Sequence, residues 1–196
     1  MFCCGLRVVS VDGSTLDVPD TEENDEYFGR PSNGTREGAF PRVRWLAAAE
    51  SGTGALVGAP LGPYTVGEQT QFLDLLSCFE PGTVVLADRN FLSHTLARDV
   101  LATGAHLLWR ASASFTLTPV QVLADGTSLA VLRPRRQADG PPITVRVIEY
   151  TVHTTSPDGV ETFSEVFALV TDLLDVEAYP RWTWRTPTRH AGAARP

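Results

Sequence analysis

Val84-Val85-Leu86-Ala87-Asp88-Arg89-Asn90-Phe91 is an apolar run that ends by delivering one carboxylate into a polar turn. An earlier stretch, Val8-Val9-Ser10-Val11-Asp12-Gly13, does the same with Asp12. Short continuous apolar runs of this kind read as buried strands of an α/β sheet. Open α/β sheets bind ligands at the carboxyl ends of their strands, so two aspartates delivered there can share one metal site. Metal-dependent phosphoryl transfer uses such an arrangement.

The intervening and following sequence fits the same class. Residues 17–38 are polar, with Gly29-Arg30-Pro31-Ser32-Asn33-Gly34 as breakers, and read as a loop. Residues 42–49 and 55–61 read as strands joined by Glu50-Ser51-Gly52-Thr53-Gly54, a hairpin signal. The stretch 67–76 carries apolar residues at helical spacing and closes near Pro81-Gly82. A second helix is expected over 93–102, with Leu96, Val100 and Leu101 on one face and Gly104 as its stop. A strand over 105–110 completes the order β-β-β-α-β-α-β, a mixed sheet with flanking helices. From 115 onward the helical period vanishes. Strands are expected over 127–132, 144–151 and 162–173, either as a β-rich insertion or as a small second sheet. The chain thus divides into a core over 5–114, a β-rich segment over 115–175 and a tail over 176–196. After Tyr179-Pro180, the run Arg181-Trp182-Thr183-Trp184-Arg185 has no helical face, and the tail reads as disordered or out of frame.

Composition bounds the function. The chain has 196 residues, 43% of them hydrophobic, enough for one substantial core. No apolar run approaches the ~20 residues of a membrane span, so no membrane association is expected. The first residues lack a basic flank followed by an apolar stretch, so no signal peptide is expected. Three cysteines, two of them adjacent, make neither a disulfide framework nor a zinc-ligand spacing, which points to a reducing cytoplasmic setting. All sixteen basic residues are arginine, which reflects a GC-rich genome rather than chemistry. The net charge of −7 argues against a non-specific nucleic-acid binder. Much of that acidity is local, because six of the 23 acids lie in 17–26, so charge leaves a DNA substrate open.

Several further residues invite a role. Glu68 is expected in the first turn of its helix, where the macrodipole favours an acid. His94 falls just past the second strand end and is read as a surface histidine; His106 and His153 are read as structural. Cys3, Cys4 and Cys78 are read as inert thiols, and Trp45 and Trp109 as core. Arg133-Pro134-Arg135-Arg136 is a basic knot in a turn, read as an exposed loop.

Taken in order, residues 5–20, then Phe28-Gly29-Arg30-Pro31, Val85-Leu86-Ala87-Asp88-Arg89-Asn90-Phe91 and Leu173-Leu174-Asp175-Val176-Glu177-Ala178-Tyr179-Pro180, resemble the catalytic core of DDE transposases of the insertion-sequence-four group. The resemblance implies a ribonuclease-H-like fold with a β-rich insertion. It implies that Asp12 and Asp88 are the first two metal-binding and catalytic aspartates, and that Arg89 contacts a DNA phosphate. It implies Mg²⁺ or Mn²⁺ as cofactor, as two ions about 4 Å apart in the intact family. The implied reaction is phosphodiester hydrolysis and strand transfer at transposon ends, and the implied partners are DNA and a second copy or an intact transposase. The family completes its site with a Glu on a helix after the insertion, and residues 181–196 contain no Glu. The expectation is therefore a fragment lacking the final catalytic helix and inactive alone. The alternative is a non-catalytic remnant that binds DNA or an intact transposase as an inhibitor, or an inert pseudogene product. In either case the location expected is cytoplasmic, nucleoid-associated when bound to DNA.

Overall fold

The structure, a computed structural model, describes residues 2–181 except 33, 35, 36, 113, 114, 116 and 156–160; over 152–155 and 161–165 it describes the backbone only. The elements are β1 (Phe2–Cys3), β2 (Leu6–Asp17), α1 (Glu22–Phe28), β3 (Arg42–Glu50), β4 (Leu56–Gly58), β5 (Leu61–Pro63), α2 (Glu68–Gln71), β6 (Thr83–Ala87), α3 (His94–Ala102), β7 (His106–Ala111), β8 (Pro119–Val122), β9 (Ser128–Leu132), β10 (Ile143–Thr155) and β11 (Glu161–Thr171). All these strands join one sheet in the order β4-β3-β2-β6-β7-β11-β10-β9-β8, with β1 added to β2 and β5 to β3. The mixed α/β class expected from the sequence is what the chain adopts. Within it β2, β6 and β7 run parallel, and β3 lies antiparallel on the other side of β2.

The parallel centre follows from its residues. Val9, Val84, Val85 and Leu107 are wholly buried, because strands covered on both faces must be apolar in continuous runs. One face packs the helices: Val9, Val11, Val85, Ala87, Leu107 and Trp109 meet Phe72, Leu75, Leu96, Ala97 and Val100. The other face holds Leu6, Val8, Val84, Leu108, Ile148 and Leu173. No helix contributes to it among the described residues.

Several expectations are corrected. Residues 17–38 are not all loop. Thr21 caps α1, its Oγ1 accepting the Asn24 N–H at 3.3 Å. Glu22, Glu23 and Asp25 then occupy the first turn, where the macrodipole favours acids, and Gly29 at φ 74° ends the helix. The acidic run that suggested a solvated loop is a helix start. The strand expected over 55–61 divides into β4 and β5 at Ala59-Pro60, since Pro60 has no N–H to offer a ladder. The helix expected over 67–76 is α-helical for only four residues and continues as a 3₁₀ helix, Phe72–Cys78. With three residues per turn, Phe72 and Leu75 fall on one buried face.

The β-rich segment does not form a second sheet. β11 pairs antiparallel with β7 (Trp109 opposite Val170), and β10, β9 and β8 follow outward from it. Inside this region Arg146 is buried completely. Its Nε donates to Thr127 Oγ1 at 2.9 Å, one terminal nitrogen donates to the Tyr179 carbonyl at 2.7 Å, and the other to Asp125 Oδ2 at 2.5 Å. Residues 175–179 form a turn in which Asp175 Oδ1 accepts the Glu177 and Ala178 N–H groups. Most of the tail expected to be disordered, from 182, lies outside the described residues.

Candidate functional site

The registers of the three parallel strands decide the site. Val11, Ala87 and Trp109 sit in one row across β2, β6 and β7, with Val11 opposite Ala87 and Ala87 opposite Trp109. All three turn inward to the helix-covered core. Side chains alternate along a strand, so the next row, Asp12, Asp88 and Arg110, faces the opposite side. Neighbouring strands are about 4.8 Å apart, so the two carboxylates are adjacent. Asp88 follows the end of β6 as expected, but Asp12 is not at a strand end, because β2 continues to Asp17 on its ladder with β3. They line one groove of about 370 Å³ with Arg110, over a floor that includes Leu86, Leu108 and Leu169.

Asp12 Oδ1 accepts the Gly13 N–H at 2.9 Å. Asp88 ends β6 in extended backbone, and its carbonyl accepts the Phe91 N–H at 3.0 Å, which starts the turn Arg89–Phe91. Phe91 is thereby buried against Phe72 while Arg89 points outward. The structure thus brings Asp12 and Asp88 together and leaves Arg89 exposed beside them, outside the groove lining.

Arg110 carries no role in the sequence reading, although it is the last residue of the strand expected over 105–110. Its Nη1 lies 3.9 Å from Asp88 Oδ1, an ion pair longer than a hydrogen bond. Its guanidinium carbon lies 4.1 Å from the centre of the Phe167 ring. Lining up the three apolar runs at Val11-Asp12, Ala87-Asp88 and Trp109-Arg110 was the signal available for it.

Glu68 does more than favour a helix dipole. Its carboxylate accepts from Asn90 Nδ2 at 2.5 Å, and Gln69 Nε2 donates to the Asn90 carbonyl. A Cβ built on Gly13 would come within 3.1 Å of Glu68 Oε1, so this carboxylate lies against the residue after Asp12. The side chain therefore bridges the strand just after Asp12 and the turn that follows Asp88. It does not complete a ligand set: among the described residues, no group of three or more His, Cys, Asp or Glu is placed to hold a metal ion.

His94 is not at the surface. It is buried at the start of α3, and its Nε2 bonds to the Pro141 carbonyl at 2.8 Å, away from the groove. His106 pairs through Nδ1 with Asp172 at 2.7 Å, at the opposite end of β7. The His153 side chain lies outside the described residues. Burial pushes the Cys3 thiol up to about 11, with Cys4 adding to the shift, so this thiol stays protonated at neutral pH. The basic knot at 133–136 is exposed, far along the sheet after β9.

The fold is thus a mixed α/β sheet that sets two aspartates side by side on neighbouring parallel strands, in one groove. The family model of the transposase DDE domain matches residues 4–186, and the chain belongs to that family. It is 28% identical over 106 residues to InsZ of Escherichia coli strain K12, covering 54% of this chain and 36% of that protein. It is 27% identical over 139 residues to InsG, the transposase for insertion sequence element IS4 of the same organism, covering 69% of this chain and 31% of that one. The chain therefore spans about a third of the length of the curated relatives it matches. A solved piggyBac transposase synaptic complex with hairpin DNA aligns over 86% of this chain and 34% of its own, with a TM-score of 0.45 and 9% identity. Among the described residues, no helix is long and apolar enough to cross a membrane.

Proposed function

We propose that the chain is part of a transposase catalytic core that acts on the phosphodiester backbone of DNA at insertion-sequence ends, with Asp12 and Asp88 as its metal-binding pair. The observation that carries this reading is the register: Asp12, inside β2, and Asp88, just past the end of β6, lie side by side on adjacent parallel strands and line one groove. Their chemistry fits the group proposed. Two carboxylates offer hard oxygen donors, which suit Mg²⁺ or Mn²⁺, and neither is buried, so both are open to a hydrated ion. When bound there, such an ion lowers the pKa of an attacking water and stabilises charge on phosphate oxygens. The protein's own part is to hold the two carboxylates at one height, through the strand registers on one side and the Glu68–Asn90 clasp on the other.

A pair of carboxylates binds a divalent ion less tightly than three, which supports weak metal binding and no strand cleavage by this chain alone. Mn²⁺ binding, measured by water proton relaxation, is expected to be detectable for the wild type and to weaken more than about tenfold in Asp12→Asn and in Asp88→Asn. Relaxation by Mn²⁺ no more enhanced with the wild type than in buffer alone would refute the site. A second reading, in which the chain binds an intact transposase or its DNA and inhibits it, is favoured by the same absence of a third ligand among the described residues. Supercoiled plasmid in Mg²⁺ separates the two. Nicking that disappears in Asp12→Asn supports an enzyme, whereas no nicking together with dose-dependent inhibition of an intact transposase supports the inhibitor.

A further inference from the structure

We infer that Arg110 is a phosphate-binding residue for a DNA strand lying in the Asp12–Asp88 groove, and that Phe167 and Tyr150 position it. The inference rests on the function proposed above and adds the residue that holds the substrate.

Three observations converge on it. Arg110 is the third member of the row whose first two members are Asp12 and Asp88, so the sheet registers place a cation beside the carboxylate pair on the same face. Its Nη1 lies 3.9 Å from Asp88 Oδ1, so the cation stands directly beside one of the two carboxylates. Its guanidinium is stacked on Phe167, which is itself stacked on Tyr150 across the β10–β11 pair, ring centres 5.4 Å apart and planes 19° from parallel.

Stacking suits a phosphate-binding arginine. A guanidinium donates only in its own plane, and a ring against its face fixes that plane without using a donor. A strand-end position then directs the donors along the groove. An isolated carboxylate pair repels a phosphodiester; a divalent ion together with a fixed guanidinium reverses that field. Arg89 lacks such support, being exposed in a short turn.

The test uses the full chain and a short DNA duplex of random sequence, titrated by fluorescence anisotropy over a range of salt concentrations, in EDTA and in Ca²⁺. Arg110→Gln is expected to weaken binding about tenfold and to reduce the slope of log K against log salt by about 0.9, the contribution of one phosphate contact. Arg110→Lys keeps the charge and so the slope, but loses affinity because the fork is gone. Phe167→Leu likewise keeps the slope and weakens binding, and adds little once Arg110 is Gln. Unchanged affinity and slope in Arg110→Gln, with the wild-type melting temperature, would overturn the inference. Mn²⁺ relaxation on the same samples separates it from the metal site. A chain that binds no Mn²⁺ but loses salt slope in Arg110→Gln keeps the phosphate contact and refutes the metal pair. A wild type that binds Mn²⁺ but no duplex in either buffer overturns the phosphate contact and leaves the metal pair standing.

Discussion

Arg146→Ala is expected to lower the free energy of unfolding by about 3–5 kcal/mol, because it leaves the partners of a fully buried cation unpaired. At this chain length that corresponds to a fall in melting temperature of roughly 10 °C. Arg146 is 0% exposed and ties three pieces together: the Asp125-Gly126-Thr127 turn, β10, and the Tyr179 carbonyl. Removing the guanidinium orphans a half-buried carboxylate, a hydroxyl and a carbonyl at once. Arg146→Lys keeps the charge but reaches only part of the fork, and is expected to recover less than half the loss. Calorimetry of the three chains checks this, and an Arg146→Ala midpoint within a degree or two of wild type would sink it.

The same network sets an acid dependence. Burial by itself would raise Asp125, but the Thr127 hydroxyl and N–H and the Arg146 guanidinium outweigh it and hold the carboxyl below its ordinary value. A carboxyl depressed in the folded state contributes stability that is present above its unfolded pKa, about 3.9, and is lost as pH falls through the folded value. Wild type therefore loses stability on acidification through that window. Arg146→Ala, with less of the shift left to lose, is expected to show a shallower acid slope.

Phe72→Ala is the second large effect, at about 3–5 kcal/mol. Phe72 is 0% exposed, and its ring meets Phe79, Phe91 and Trp109 at centre distances of 5.7, 5.3 and 5.9 Å. Two of these partners sit beside the site: Phe91 three residues after Asp88, and Trp109 immediately before Arg110. A void there costs the transfer energy and the tilted aromatic contacts, and it loosens the rows that present the groove. Urea unfolding is expected to show a lower midpoint with unchanged slope. Phe72→Leu is expected to retain more than half the stability lost by the alanine variant. A midpoint shift worth less than about 1.5 kcal/mol for the alanine would mean the cluster is not the packing centre the rings suggest.

How much was legible in the sequence depends on whether the signal was local. The strands carrying Asp12 and Asp88, the hairpin at Glu50–Gly54 and the helix begun by Ser93 were legible because each is written in consecutive residues. α1 was hidden because an acidic first turn and a solvated loop share a composition, and only the Thr21 cap distinguishes them. The 3₁₀ stretch was hidden because spacing of three and spacing of three-to-four look alike over seven residues. Of the site, the adjacency of the aspartates could be expected from the two matching apolar runs that lead into them, although the strand carrying Asp12 runs on to Asp17, where its polar sequence hid the continuation. Arg110 was less legible, because aligning it with the aspartates depends on registers between strands, and its support comes from Phe167, far along the chain. The burial of His94 was equally non-local, fixed by the Pro141 carbonyl that only the fold brings near.

Because β11 returns to lie against β7, the strands β8 to β11 extend the sheet outward as an excursion that starts and ends at adjacent strands. Such an excursion can lengthen or shorten at small entropic cost without disturbing the registers of β2, β6 and β7. Phe167 and Tyr150, however, belong to it, whereas Asp12 and Asp88 do not. The two carboxylates are thus the property of the scaffold, while the setting of the guanidinium beside them travels with an exchangeable cassette. Grafting a foreign excursion between β7 and β11 would leave the acids in place and retune only how the backbone of a bound strand is gripped.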